Sequence, residues 1–363
     1  MSELGKERIM KRIPVVIFGA GGVGAALLRQ IVDGRNRVAA RNQYRFEVAA
    51  VTDSRSCLFA AEGLDDAALL AAVERKRQGL AVAEGKRPSE IEIIDRARQA
   101  GWEKGIVVDV TAVDGMEPVL DHALAAGYGV ALANKKALAG PWQTAQKYFN
   151  HSRVRHESTV GGGQPVIATL RYLLDVNDPV YEIEGQMSGT LGFICGQMDG
   201  GIPFSHAVRE AKELGYTEPD PREDLSGKDV MRKALILARM AGWPLEEADI
   251  EVESLYSPEL ADLSVPEFMD AAAGLDETMR LRVATAQTEG MVLRYVAEVA
   301  DGRGVVGLKP VPAGSALSSL KYISFRTGRY DDEPLLIGGK GAGVEMTAAG
   351  VLGDMIDLAR EEL

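Results

Sequence analysis

The sequence predicts an α/β protein, a doubly wound parallel sheet joined to a second, α+β domain. Three observations predict it. A β-branched run from Val15 to Phe18 breaks into glycines and then into a helical rhythm of Val23, Leu27, Leu28 and Ile31. Strand and helix patterns then alternate over roughly 150 residues, as a parallel sheet requires. Beyond that point the alternation gives way to acid-rich loops and short strands such as MVLRYVAEVA at 291–300.

The bulk numbers limit the function. Of 363 residues, 46% are apolar and 26% charged, an ordinary balance for a globular protein that can bury one or two cores. Acids outnumber bases by 53 to 41 and no basic block stands out, so nucleic acid is not an expected partner. No long apolar run suits a membrane span, and the polar start MSELGKERIMKR lacks an apolar leader segment. Cys57 and Cys195 lie far apart with no metal or redox spacing. A reducing, cytoplasmic setting is the expectation.

In IPVVIFGAGGVGAALLRQIVDG, Gly19, Gly21 and Gly24 fit G-x-G-x-x-G directly after a strand. The first glycine permits a tight turn, the second lets backbone approach a pyrophosphate, and the third lets helix and strand pack closely. The helix N-terminus then offers free N–H groups to the anion. A second strand, FEVAAVTD, ends at Asp53, an acceptor for a ribose diol that favours NAD. Arg55 suits the 2′-phosphate of NADP instead, so both cofactors stay open. Further strands are expected at 105–112 and 128–134, and a surface helix with a turn over 67–88. Asn134, Lys135 and Lys136 follow the 128–134 strand directly, where ligands of parallel sheets bind. A pair of lysines that only solvates a loop is the plain alternative.

The segment GYTEPDPREDLSGKDVMRKALILAR, residues 215–239, carries the most chemistry. Pro219 and Pro221 predict a stiff, extended approach lined by Glu218, Asp220, Glu223, Asp224 and Asp229. A helix is expected from about Ser226, capped by Ser226 with Asp229 three residues on. Val230, Ala234, Leu237 and Ala241 mark its buried stripe. Lys233 then lies roughly 60° from the stripe centre, inward or at its edge, while Lys228 and Arg232 face solvent. Asp229 and Lys233 alone would make a weak i,i+4 surface pair. Beside an acid loop, an inward lysine and several carboxylates suggest a site that grips an ammonium and moves a proton.

Five segments together, GYTEPDPREDLSGKDVMRKALILAR, NKKAL, ESTVGGGQP, SGTLGF and GAGVEMTAAGVLGDMIDLAR, resemble the homoserine dehydrogenase family from about residue 13 onward. The 215–239 segment is specific to that family; the glycine motif is not. The resemblance implies a Rossmann-type NAD(P) domain over 1–152, a catalytic and dimerisation domain over 153–335, and a 336–363 segment returning to the first. It implies a homodimer that interconverts L-homoserine and L-aspartate 4-semialdehyde in threonine, methionine and isoleucine biosynthesis. Lys233 and Lys135 match the family's acid/base lysines, with Asp229 orienting the first. Glu218, Asp224 and Asp229 match its substrate acids, and Thr190, Gly189 and Tyr216 complete that pocket. Gly19, Gly21, Gly22, Val23, Gly24, Asp53, Arg55, Thr111, Asn134, Lys135 and Gly343 form the implied cofactor set. Glu157, Val160, Gly162 and Gln164 match a loop that binds a monovalent cation, usually sodium.

The sequence departs from the family at Gln164, which stands where an apolar residue is usual, and at Lys228 and Met231. The family's kinase and regulatory domains are not expected, nor feedback by threonine through them. Two rivals remain. One is a diverged oxidoreductase acting on another small amino-acid alcohol or aldehyde, which would change the ammonium-binding acids. The other is a non-catalytic NAD(P)-binding regulator, which would lose the lysines. An aspartate-semialdehyde dehydrogenase needs a nucleophilic cysteine, whereas Cys195 sits in an apolar helical stretch suited to a core.

Overall fold

The structure, a computed structural model, describes residues 10–361. Within that range the chain divides into two compact units. The first takes its residues from Met1–Gly140, Lys147–Gly163 and Gly343–Leu363, the second from Pro141–Gln146 and Gln164–Ala342.

The first unit holds β1 (Lys11–Phe18), β2 (Tyr44–Thr52), β3 (Cys57–Phe59), β4 (Ile106–Asp109), β5 (Gly129–Leu132) and β6 (Val154–Arg155) in the order β3-β2-β1-β4-β5-β6. All neighbours pair in parallel except β3, which runs antiparallel to β2. Val15, Val16, Ile17 and Phe18 are fully buried, the mark of a strand covered on both faces. The strand order reverses direction at β1, which opens a crevice beyond the carboxyl ends of β1 and β4. The last helix, Val344–Glu361, packs against the Gly22–Asn42 helix. Its Ala348, Val351, Met355 and Leu358 join the same core as β1. Arg29 with Glu345 (2.8 Å) and Arg155 with Asp357 (2.8 Å) pair across it.

The second unit holds β7 (Val180–Gly185), β8 (Ile250–Val252), β9 (Met291–Ala300), β10 (Arg303–Pro312), β11 (Tyr322–Thr327) and β12 (Leu335–Gly338), ordered β12-β11-β7-β9-β10-β8. Pairing is antiparallel apart from β10 with β8. Period-two alternation gives this sheet two unlike faces. Ile183, Ala297, Val299 and Phe325 are buried on one. Leu336, Ser324, Glu184, Glu298 and Val305 form a cross-strand row on the other, and none of them is buried. Cys195 lies fully buried in the Gly189–Asp199 helix, and burial pushes its thiol up to about 12. That is a core residue.

Two local expectations are corrected. The proline segment is not extended throughout: Pro221 opens a short helix, Pro221–Leu225, capped by the Asp220 carboxylate on Arg222 N (3.0 Å). Proline suits a first helical turn, where its missing N–H is not needed. The Ser226 capping box does not form either. Ser226 keeps helical dihedrals (φ -66°, ψ -18°) as the end of that short helix, whereas an N-cap needs extended backbone. The helix starts at Lys228 and runs to Met240, preceded by Gly227 at φ 71°. Val230, Ala234 and Leu237 are buried as expected, with Ala241 half-buried just past the end.

Gly227 is needed for two reasons. Its φ is left-handed, and a Cβ there would be driven into the Tyr295 hydroxyl, which donates to the Glu253 carbonyl at 2.6 Å. Gly227→Ala is therefore expected to destabilise the fold by roughly 2–4 kcal/mol, combining backbone strain and overpacking. A shift of the urea midpoint at unchanged slope measures it; an unshifted midpoint refutes it.

Candidate active site

The candidate cofactor residues lie in the first unit, around the crevice beside β1. Gly19 turns at φ 105°, and a Cβ on it would sit 3.0 Å from the Val110 carbonyl carbon and oxygen. A Cβ on Gly24 would collide with the Gly19 carbonyl oxygen, while one on Gly21 would meet nothing within 4 Å. The motif's three roles are thus visible as two tight contacts and one open approach. Gly21 caps the Gly22–Asn42 helix without a side-chain acceptor. A Cβ on Gly22 would press on Val344 at 3.2 Å, and Val23 is half-buried. This cradle fits a dinucleotide.

Asp53 ends β2 but turns inward. Its Oδ1 accepts from Arg55 N (2.8 Å) and Ser56 N (2.8 Å), and its Oδ2 from Lys76 Nζ (3.0 Å) and Val82 N (3.0 Å). Burial raises its pKa, but Lys76 and the three backbone N–H groups outweigh that and hold it well below the ordinary carboxylate range. Arg55 is exposed and its guanidinium donates to Gly79 O (2.8 Å).

At the end of β4, Asp109 organises the floor. Its Oδ1 accepts from Thr111 N (2.9 Å) and Thr111 Oγ1 (2.7 Å), its Oδ2 from Asn134 Nδ2 (3.0 Å). Burial pushes its carboxyl up despite these donors. Asn134 also reaches Val113 O (2.9 Å), so one amide ties the ends of β4 and β5 together. Lys135 follows, half-buried, at the start of the short helix Lys136–Ala139. Lys136 pairs instead with exposed Asp114 at 3.2 Å.

The cation-loop residues Glu157, Val160 and Gly162 also lie in the first unit, on a turn where Gly161 and Gly162 have φ 73° and 62°. Glu157 N donates to Asp354 at 2.9 Å. Gly343, at φ 115°, begins the final helix region, and its carbonyl accepts from Thr347 N.

The second unit gathers the substrate candidates. Lys233 Nζ lies 2.7 Å from Asp229 Oδ2 and donates to the Met187 carbonyl at 2.7 Å. Its side chain is 18% exposed, against 52% for Asp229. One helix turn presents the pair, and the end of β7 supplies the carbonyl. Ser188 caps the Gly189–Asp199 helix on Leu191 N, setting Gly189 and Thr190 beside Met187. The Thr190 hydroxyl donates to Tyr216 O at 2.6 Å and lies against the Asp224 carboxylate. Asp224 also accepts from Glu218 N (2.8 Å). Burial raises the pKa of Asp224, more than those donors and nearby Lys233 lower it. Tyr216 stacks edge-on against Phe193 at 5.0 Å. Gln164 is buried, with Nε2 donating to Gly339 O at 3.1 Å and its carbonyl accepting from Val166 N.

Residues 165–356 match the family model described as homoserine dehydrogenase, and residues 19–157 match the model described as homoserine dehydrogenase, NAD binding domain. The chain belongs to the homoserine dehydrogenase family. The bifunctional aspartokinase/homoserine dehydrogenase 2 of Escherichia coli K12 is 36% identical over 369 residues, which cover 97% of this chain and 44% of that protein. The chain thus spans under half the length of that bifunctional relative. The homoserine dehydrogenase of Paracoccidioides brasiliensis is 40% identical over 274 residues, 70% of this chain and 74% of that one. A crystal structure of a Candida auris protein of unknown function, 31% identical, superposes with a TM-score of 0.85 over 97% of this chain and 99% of that one.

Sequence reasoning missed three contributors. Asp109 had a signal, an acid closing the apolar run GIVVD. Lys76 and the Met187 carbonyl had none, since tertiary folding alone brings them to Asp53 and Lys233.

Proposed function

We propose that the chain is a homoserine dehydrogenase, transferring hydride reversibly between L-homoserine and L-aspartate 4-semialdehyde with NAD or NADP. The observation that carries this reading is the Lys233 ammonium, held at 2.7 Å by both Asp229 and Met187 O beside the Asp224, Thr190 and Tyr216 cluster. Asp224 and Glu218 suit the substrate ammonium, with Asp229 flanking them. Gly189 and Thr190 offer backbone and hydroxyl contacts. In the reducing direction Lys233 gives a proton to the aldehyde oxygen; in oxidation its neutral form takes the hydroxyl proton. Lys135 takes the second acid/base role that the family resemblance implies. Hydride acceptance is what a bound nicotinamide supplies.

Further parts of the reading rest on single observations. Asp53 is bound by Lys76, while Arg55 lies exposed two residues on, which supports a role for Arg55 at a 2′-phosphate. Sodium at Glu157, Val160, Gly162 and Gln164 follows the family resemblance alone. A homodimer is supported by the unburied face of the second sheet, where Val305 is 56% exposed and Leu336 38%. Among the described residues no helix is long and apolar enough to cross a membrane. A cytoplasmic setting belongs to the same proposal.

The first test is oxidation of L-homoserine by the purified protein, followed at 340 nm with NAD⁺ and NADP⁺ in parallel, with and without sodium. Cofactor binding without turnover would favour a regulator or a diverged substrate. Lys233→Ala should lower kcat by about 100-fold or more while cofactor binding persists, the scale of a positioned acid/base group; near wild-type kcat would remove that role. Arg55→Ala should raise KM for NADP and leave KM for NAD alone, and equal changes would reject the phosphate contact.

The raised pKa of Asp224 has a pH consequence. Ammonium binding needs the ionised carboxylate, so affinity is present above that pKa and lost as pH falls through it. KM for homoserine should climb as pH falls through that raised pKa, at a higher pH than an ordinary aspartate would give, and Asp224→Asn should flatten the climb. An unchanged profile in that variant would refute the assignment.

A further inference from the structure

The substrate proposed above carries an α-carboxylate as well as an ammonium, and no residue yet described in the second unit matches it. Lys321, which directly precedes β11, lies next to the Met187–Gly189 turn. A Cβ added to Gly189 would sit 3.1 Å from Lys321 Nζ, and one added to Gly192 would sit 3.9 Å from its Cε. Gly189 and Gly192 are three residues apart, on one face of the Gly189–Asp199 helix. The lysine stem therefore runs along that face at van der Waals distance from Gly192, and its ammonium comes closest at Gly189, the first helical residue.

Among the described residues Lys321 Nζ has neither an ion-pair nor a hydrogen-bond partner, unlike Lys233, which has both. Its backbone is fixed, because its carbonyl accepts from Gly339 N at 3.1 Å. Two ammonium groups thus flank three residues of backbone, one neutralised by Asp229 and one not. An amino acid with its ammonium on the acids and its carboxylate toward Lys321 would complete the charge pattern.

We propose that Lys321 is a specificity-determining residue that binds the α-carboxylate of the amino-acid substrate. The inference rests on the homoserine reading, and its test keeps the two apart. L-Homoserine and 3-aminopropan-1-ol share the ammonium, the hydroxyl and the spacing between them, and differ in the carboxylate. Their binding to the wild-type protein and to Lys321→Met is measured by calorimetry. The expected result is about tenfold weaker homoserine binding in the variant, with 3-aminopropan-1-ol within about twofold of wild type. Because the side chain is exposed, the variant should melt with the wild type, which the same samples verify.

Equal weakening of both ligands, or no weakening of either, overturns the role of Lys321. So does a wild-type protein that binds homoserine no more tightly than the amino alcohol. Hydride transfer from L-homoserine in the wild type is read separately. If it is absent while Lys321→Met still selectively weakens homoserine, the proposed reaction fails and the carboxylate contact stands.

Discussion

The candidate substrate site depends on one interaction, the Lys233 ammonium between the Asp229 carboxylate and the Met187 carbonyl. A flexible four-carbon stem would otherwise sample many positions. The i,i+4 carboxylate restrains it from within its own helix, and the Met187 carbonyl restrains it from the end of β7. Two short charge-assisted bonds from different elements define a position that either alone would leave loose. The same contact joins the Lys228–Met240 helix to the turn that carries Gly189 and Thr190.

Glycines make that arrangement possible where backbones or side chains come close. Gly227 lets the lysine helix begin against Tyr295, and Gly189 lets the Lys321 ammonium come close to the helix start. In the first unit Gly19 and Gly24 do the same for the turn after β1. These positions serve close approach, and their cost in chain entropy is repaid by contacts a Cβ would block.

Three carboxylates, Asp53 and Asp109 buried and Asp224 half-buried, show a contrast in electrostatics. Asp53 receives an ammonium and three backbone donors and stays firmly ionised, a structural clamp at the end of β2. Asp109 and Asp224 receive fewer compensating donors, and burial raises both. One organises Thr111 and Asn134; the other faces Thr190 and the acid loop. The two carboxyls that burial raises thus lie in the two candidate ligand regions.

Much of this was legible in residue order. The run from Val15 to Gly24 carries its strand, turn and helix in local preferences, because periodicity and glycine placement act over a few residues. Lys233 and Asp229 share a helix face by spacing alone, and the acid loop announces its charge. Helix ends were less legible: Ser226 suits a cap, yet the preceding turn at Pro221 and the left-handed Gly227 claimed its backbone first. Only the tertiary structure turned Asp53 onto Lys76, paired Lys136 with Asp114, and set Lys321 against Gly189. Those partners lie tens to more than a hundred residues apart, and no local pattern encodes which long-range contact a side chain meets once the sheets have formed.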